Sequence, residues 1–404
     1  MAGALGLVWI APDLAAGNFL APRVGAVTHL FTLGWLTITI FGALTQLIPT
    51  SLGTPICSAR LARLAAWALA LGVVALDTGI VAQATGPLAA GVLLVIAGVL
   101  MAVGNFAVTL RRARTRDVTW AAIAIAIAYL VIVLGFGAVL AHNLHTGFVA
   151  AHRVRLTAAH LHLALIGWVF LVIVGVSTRL LPMFLMAHRV EHTANRVAVA
   201  LLAVGVALLA TGLALSRPVI TWPGAVLVYA GFIAFIVQVV AFYRGRTRRK
   251  VDAGMAFARM GVIFLAAGAV LGGVLLVAGH TRGRLATAYI VTVLLGGLVL
   301  FVTGFSYKII PLLAWTARFS GRSGPGPMPM AGDLFSARVA LVHGTLTAVA
   351  VLGMLVGIAA ASASIVADGA VLYACAILIY AWQVARIRWG TPTPRAALPT
   401  SPQP

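Results

Sequence analysis

Ten histidines carry most of the chemistry available to this chain, which has only seven acidic side chains in 404 residues. A neutral imidazole is the commonest protein ligand for iron and other transition metals, so the spacing of these rings matters first. His29 and His162 occupy one position of a repeated pattern. His160 lies two residues before His162, about 200° around a helix, so the two rings point to opposite sides and serve different partners. His142 and His145 are three residues apart and share a face if their helix extends that far, which suits a single ion. A metal is therefore expected at His142, His145 or His160, with Asp77 or Asp368 available to orient a ring.

The repeated pattern is 21 residues long. Residues 29–49 (HLFTLGWLTITIFGALTQLIP) align without a gap to residues 162–182 (HLALIGWVFLVIVGVSTRLLP), pairing Gly34 with Gly167, Trp35 with Trp168, Gly42 with Gly175 and Pro49 with Pro182. A third copy, residues 291–311, keeps Gly296, Gly304 and Pro311 but has Val291 in place of the histidine. Such a spacing marks one structural unit used three times.

These units must be membrane helices. Hydrophobic residues make up 62% of the chain and charged ones 9%, against roughly a quarter charged in a soluble domain. A hydrocarbon crossing takes about 20 apolar residues in a helix. The hydropathy pattern predicts an all-α polytopic bundle of about twelve spans: 4–20, 27–49, 61–82, 86–110, 119–141, 158–186, 196–216, 221–243, 257–279, 285–311, 335–358 and 364–387. They form one integral-membrane domain over residues 1–389, in three pseudo-repeats of four helices at about 1–110, 119–243 and 257–387. A Pro- and Ser-containing tail, residues 390–404, is expected to be disordered and cytoplasmic.

Charge fixes the orientation. With both termini inside, the inner connections hold Arg60, Arg63, the Arg111 to Arg116 cluster, Arg189, the Arg244 to Lys250 cluster, Arg318 and Arg322, while few basic residues remain outside. The net charge of +21 is thus headgroup-facing and not a nucleic-acid surface. Seven of the ten histidines fall toward the outer face in this arrangement. The preference for Arg over Lys suggests a GC-rich bacterial genome, and the expected location is a bacterial inner membrane. Residues 1–20, interrupted by Pro12 and Asp13, are the weakest span and have no basic leader, so no signal peptide is read there. Cys57 and Cys375 are too far apart in the topology to form a disulfide.

Twelve helices in three groups of four, with histidines at the outer ends of helices running inward, resemble subunit I of the haem–copper oxidase superfamily, and are similar to the smaller NnrS-type haem proteins of bacterial nitric-oxide metabolism. The resemblance implies a b-type haem held by His29 and His162, with Gly34 and Gly167 against its flat face, copper as a further metal, a quinol or cytochrome donor, and NO or O2 as the gas. It is specific around the second and sixth spans. In those oxidases the tenth span carries an HxH pair; here that pair is on the sixth and the tenth has Val291. The seventh span has no paired histidines and the membrane interior is almost free of acids, so sustained oxygen reduction and proton pumping are not expected. The alternative is a secondary transporter of a small solute or metal ion, with Asp77 and Asp368 on its path.

Simpler roles are weighed at each position. His343 reads as a satisfied core histidine, His152 and His280 as solvated loop residues, and Trp35 and Trp168 as packing. Gln46, Arg179 and Lys308 share one position of the pattern and read as snorkelling to headgroups. The stretch from His188 to His192, HRVEH, matches an inverted zinc-protease motif. It is set aside because that site needs a further glutamate and Glu191 is the only one.

Overall fold

The computed structural model describes residues 1–187, 191–247, 252–278, 283–320 and 328–390. Among them regular structure is helical, apart from an isolated bridge between Ala187 and Arg246. In chain order the helices are α1 Ala2–Trp9, α2 Ala11–Ala16, α3 Pro22–Leu52, α4 Ala59–Ala82, α5 Thr85–Arg111, α6 Val118–Thr146, α7 Ala150–Leu185, α8 Thr193–Leu215, α9 Pro218–Arg244, α10 Ala253–Ala278, α11 Gly283–Phe319, α12 Ala337–Ala359 and α13 Ala363–Trp389. The last eleven are long and apolar enough to cross a membrane. Large apolar side chains such as Trp67, Val219 and Val277 stand exposed along them, as lipid-facing residues do. The expected tail falls outside the described residues, apart from Gly390, as do His188 and His280.

The first predicted span is not one helix. It breaks at Ile10, because Pro12 occupies the first turn of α2 and contributes no amide hydrogen. Gly17, with φ 77°, ends α2. The chain forms two compact units, residues 18–249 and residues 1–17 with 250–404. In the second unit α1 and α2 pack on α13, and α10 packs on α11. In the first, α6 packs on α7 and α3 on α4. The helices carrying the second and third copies of the motif are the most enclosed: 72% of the most apolar stretch of α7 and 78% of that of α11 is buried, against 28% for α6 and 22% for α10.

One hairpin design occurs three times, in α4–α5, α8–α9 and α12–α13, the helix pairs in most extensive contact among the described residues. Glycines let the backbones touch. A Cβ on Gly79, Gly212 or Gly357 would lie 2.3, 2.4 or 2.6 Å from the amide nitrogen of Leu88, Thr221 or Val366, closer than any side chain tolerates. The turn in each hairpin places a non-glycine residue in the left-handed region, Gln83 at φ 52°, Ser216 at φ 52° and Ala361 at φ 54°. A carboxamide then clamps each hairpin at its other end. Asn105 takes the Ser58 amide and donates to the Ser58 carbonyl (3.0 and 2.8 Å). Gln383 does the same at Ser336 (3.3 and 2.7 Å). Gln238 accepts from the Asn195 amide and donates to the Glu191 carbonyl (3.1 and 2.9 Å). These groups satisfy the first-turn amides that a helix cannot satisfy itself.

The motif helices share a second device. Each contains a π-helical stretch, Thr32–Thr37, Leu163–Phe170 and Thr292–Val299, and all three end at positions that the sequence alignment pairs. Each begins one to three residues after the position of His29, His162 or Val291. Extra residues per turn re-aim every side chain beyond them, and such segments concentrate at functional sites. The helices also run past Pro49, Pro182 and Pro311 to Leu52, Leu185 and Phe319, so the spans expected to end at 49 and 311 are longer than hydropathy predicts. Arg179 pairs with Asp117, and Lys308 pairs with Asp252 at 2.5 Å. These are ion pairs at the starts of α6 and α10, where both aspartates also cap helix amides, so headgroup snorkelling is not their main role. Gln46, in the first copy, is exposed.

Candidate functional site

α3 delivers His29 from its first third, two turns after Pro22 starts the helix. The imidazole Nδ1 is buried and makes no hydrogen bond; it lies 3.7 Å from a carboxylate oxygen of Asp77, near the end of α4. Asp77 is itself buried, 8% exposed, and neither of its oxygens has a hydrogen-bond partner. The His29 side chain keeps 28% of its surface accessible. Because Nδ1 is sealed, that exposure belongs to the rest of the ring, where Nε2 is. A ring with one nitrogen turned to a buried carboxylate and the other edge open is built as metal-binding histidines are.

His160, near the start of α7, joins the same buried group. It is within electrostatic reach of His29, its Nδ1 is buried without a partner, and the ring lies near the Val133 backbone of α6. Gly137 makes room for it: a Cβ there would lie 3.4 Å from His160 Cε1. His162 points elsewhere, as the HxH spacing requires. Its Nδ1 is 2.8 Å from the Ala158 carbonyl one turn back, which makes Nε2 the nitrogen with ligand character. So α3 and α4 bring together His29 and Asp77, with His160 of α7 within electrostatic reach of His29.

The two glycines expected to face a flat ligand differ. A Cβ on Gly34 would meet nothing nearer than Val73 Cγ1 at 3.6 Å, and one on Gly42 nothing within 4 Å. A Cβ on Gly167 would strike the Tyr129 ring at 2.9 Å and one on Gly175 the Ala122 Cβ at 2.5 Å. Gly167 and Gly175 are thus demanded by the packing of α7 on α6, while Gly34 has room beside it. Trp168, 2% exposed, donates from Nε1 to Thr37 Oγ1 at 3.1 Å. That bond ties the π-helical stretches of α3 and α7 and so fixes their relative register.

His142 and His145 are exposed near the end of α6, with the His142 ring against Phe148 at 5.2 Å. Among the described residues no three His, Cys, Asp or Glu side chains converge on one point where an ion would sit. Asp368 is exposed, so of the two acids considered for orienting a ring, only Asp77 stands beside one. His343 is a satisfied core histidine, 1% exposed, with Nδ1 3.1 Å from the Tyr307 hydroxyl and its ring stacked on Tyr380. At the opposite end, His192 packs against Phe242. Burial, with Arg179 and Arg196 nearby, lowers its pKa below the usual histidine value. Sequence reasoning missed the pairing of His29 with Asp77, although both residues were legible as polar groups on the same membrane side.

Comparison with solved structures settles the architecture. A haem–copper terminal oxidase, described as a dimer solved by electron cryomicroscopy, superposes with a TM-score of 0.69 over 98% of this chain and 82% of the oxidase chain. The chain has the fold of a haem–copper oxidase. Sequence identity to that oxidase is 12%, so the likeness is one of fold alone. No family's sequence model matches the chain, and no curated protein matches it.

Proposed function

We propose that the protein is an integral-membrane haem protein whose haem, of b type, is held by His29 and His162, with His160 as the ligand for a metal such as copper. The observation that carries this is His29: a half-buried ring in a haem–copper oxidase fold, its Nδ1 sealed beside a partnerless buried carboxylate and its other edge accessible. His162 supports it through its tautomer-fixing bond to the Ala158 carbonyl, and Gly34 through the room beside it. Bound iron would supply one-electron chemistry and a coordination site for NO or O2. The residues of the chain hold its ligating rings in place and exclude water around them, through the Trp168 to Thr37 bond and the packed π-helical stretches. A quinol or a cytochrome in a bacterial inner membrane is the natural electron donor. His142 and His145 remain candidates for that metal, in a role limited by their exposure. With no histidine pair on α8 and Val291 on α11, the reading favours redox or gas binding over sustained oxygen reduction.

The test is a visible spectrum of the protein purified from haem-supplied membranes. A Soret band is expected, removed or shifted by His29→Ala and by His162→Ala while expression persists. A colourless wild-type protein would overturn the reading in favour of a transporter.

A further inference from the structure

Asp77 is the one buried acid of α4, and it has no structural employment there. Burying a carboxyl in a membrane interior costs several kcal/mol unless it is paired, and neither Asp77 oxygen receives a hydrogen bond. Its nearest polar neighbour is His29 Nδ1 at 3.7 Å, which also lacks a hydrogen-bond partner. The α4–α5 hairpin does not need an acid at this position. Its counterparts in the other two hairpins, 133 and then 145 residues on by the spacing of the clamping residues (105 to 238 to 383), are Ala210 and Leu355. Both close the same turn with the same glycine contacts. What distinguishes the first hairpin is a histidine whose Nδ1 has no hydrogen-bond partner, whereas His162, at the same repeat position beside the second hairpin, has its Nδ1 2.8 Å from the Ala158 carbonyl.

We infer that Asp77 is the positioning residue of His29: once His29 Nε2 ligates iron, His29 Nδ1–H donates to the Asp77 carboxylate. This rests on the haem reading above. Closing the 3.7 Å separation to hydrogen-bond length would satisfy both orphaned groups at once. The bond fixes the tautomer that leaves the Nε2 lone pair for the metal, and it gives the ring partial imidazolate character, which stabilises ferric over ferrous iron.

The experiment uses the full-length haem-loaded protein, comparing wild type with Asp77→Asn and Asp77→Glu by redox titration and by low-spin ferric EPR. Asp77→Asn is expected to keep the Soret band, raise the midpoint potential and move the EPR g values toward those of a neutral-imidazole ligand. Asp77→Glu is expected to restore part of both changes. A potential that rises with unchanged g values would show a remote charge and no hydrogen bond, and would overturn the inference while leaving the haem reading intact. An Asp77→Asn protein identical to wild type would do the same. A colourless wild type would sink both together.

Discussion

Replacing Gln238 by Leu tests whether the carboxamide clamps hold the hairpins. The side chain is 1% exposed, and Leu has a similar volume, so little cavity is created. What is lost is specific. The Asn195 amide, in a residue with no exposure, loses its acceptor at 3.1 Å. It lies in the first turn of α8 and has no helical alternative. Leaving a buried donor unmet costs about 1–3 kcal/mol. The Glu191 carbonyl, bonded at 2.9 Å, belongs to an exposed residue, and water replaces that bond at a cost of about 0.5 kcal/mol or less. The total is about 2–3 kcal/mol. Asn105→Leu removes a clamp whose two partners are both on half-exposed Ser58. Water reaches them, so about 1 kcal/mol is expected, near the average measured for polar contacts between membrane helices. Thermal or denaturant unfolding in detergent micelles, followed by tryptophan fluorescence, gives the ranking: Gln238→Leu well below wild type, Asn105→Leu between them. If Asn105→Leu proves the more damaging, or if Gln238→Leu is indistinguishable from wild type, burial does not govern these clamps and the reasoning fails.

Two more predictions follow from packing and topology. Gly79→Ala, Gly212→Ala and Gly357→Ala each force a Cβ to within 2.6 Å of a facing backbone nitrogen and should each cost about 1–3 kcal/mol or prevent accumulation, whereas Gly42→Ala should be neutral, as unfolding midpoints and membrane yields will show. Reporter fusions after Arg116 and near Thr146 should fall on opposite sides of the membrane, the first cytoplasmic and the second external; a cytoplasmic signal at Thr146 would dismantle the topology.

Eleven of the twelve expected spans, the motif helices among them, were legible because hydropathy over some 20 residues is set by the solvent and needs no tertiary information. The helix ends past Pro49 and Pro311 were not. A proline breaks an isolated helix, but inside a bundle neighbouring groups satisfy the carbonyl it frees. The broken first span was half legible in Pro12 and Asp13. The hairpin glycines and clamps escaped for a different reason. They recur at 133 and then 145 residues (79 to 212 to 357), while the histidine motif recurs at 133 and then 129 (29 to 162 to 291). The longer connection between α11 and α12 puts the two series out of step, so an alignment anchored on the motif does not find them. The site was legible through His29, whose recurrence singled it out. That Asp77, 48 residues later (29 to 77), seals its Nδ1 depends on how α3 lies against α4, which no local pattern encodes.

The three copies also separate what the fold requires from what chemistry requires. Features present in all three, the hairpin glycines, the left-handed turn residue, the clamp and the π-helical stretch, are structural, because each copy would fail to pack without them. Residues that one copy alone makes polar are under a different demand. The Asp77 position is apolar in the other two hairpins. His160 corresponds to Val27 in the first copy and Tyr289 in the third, while the histidine of His29 and His162 is lost only in the third, at Val291. The third copy, which lost the outer histidine, buries a different polar group: Tyr307, His343 and Tyr380 stand where the second copy has Thr178, Ala198 and Phe235. That substitution of a stacked histidine and two tyrosines for smaller or apolar residues closes a helix junction the second copy closes without them. Divergence from the common pattern therefore falls on the start of α3, the end of α4 and the start of α7 in one unit and on the core of α11 to α13 in the other. Only the first of these combines an accessible imidazole edge with partnerless buried donors and acceptors. A ligand can satisfy those groups, and the Tyr307 to His343 pair already satisfies itself.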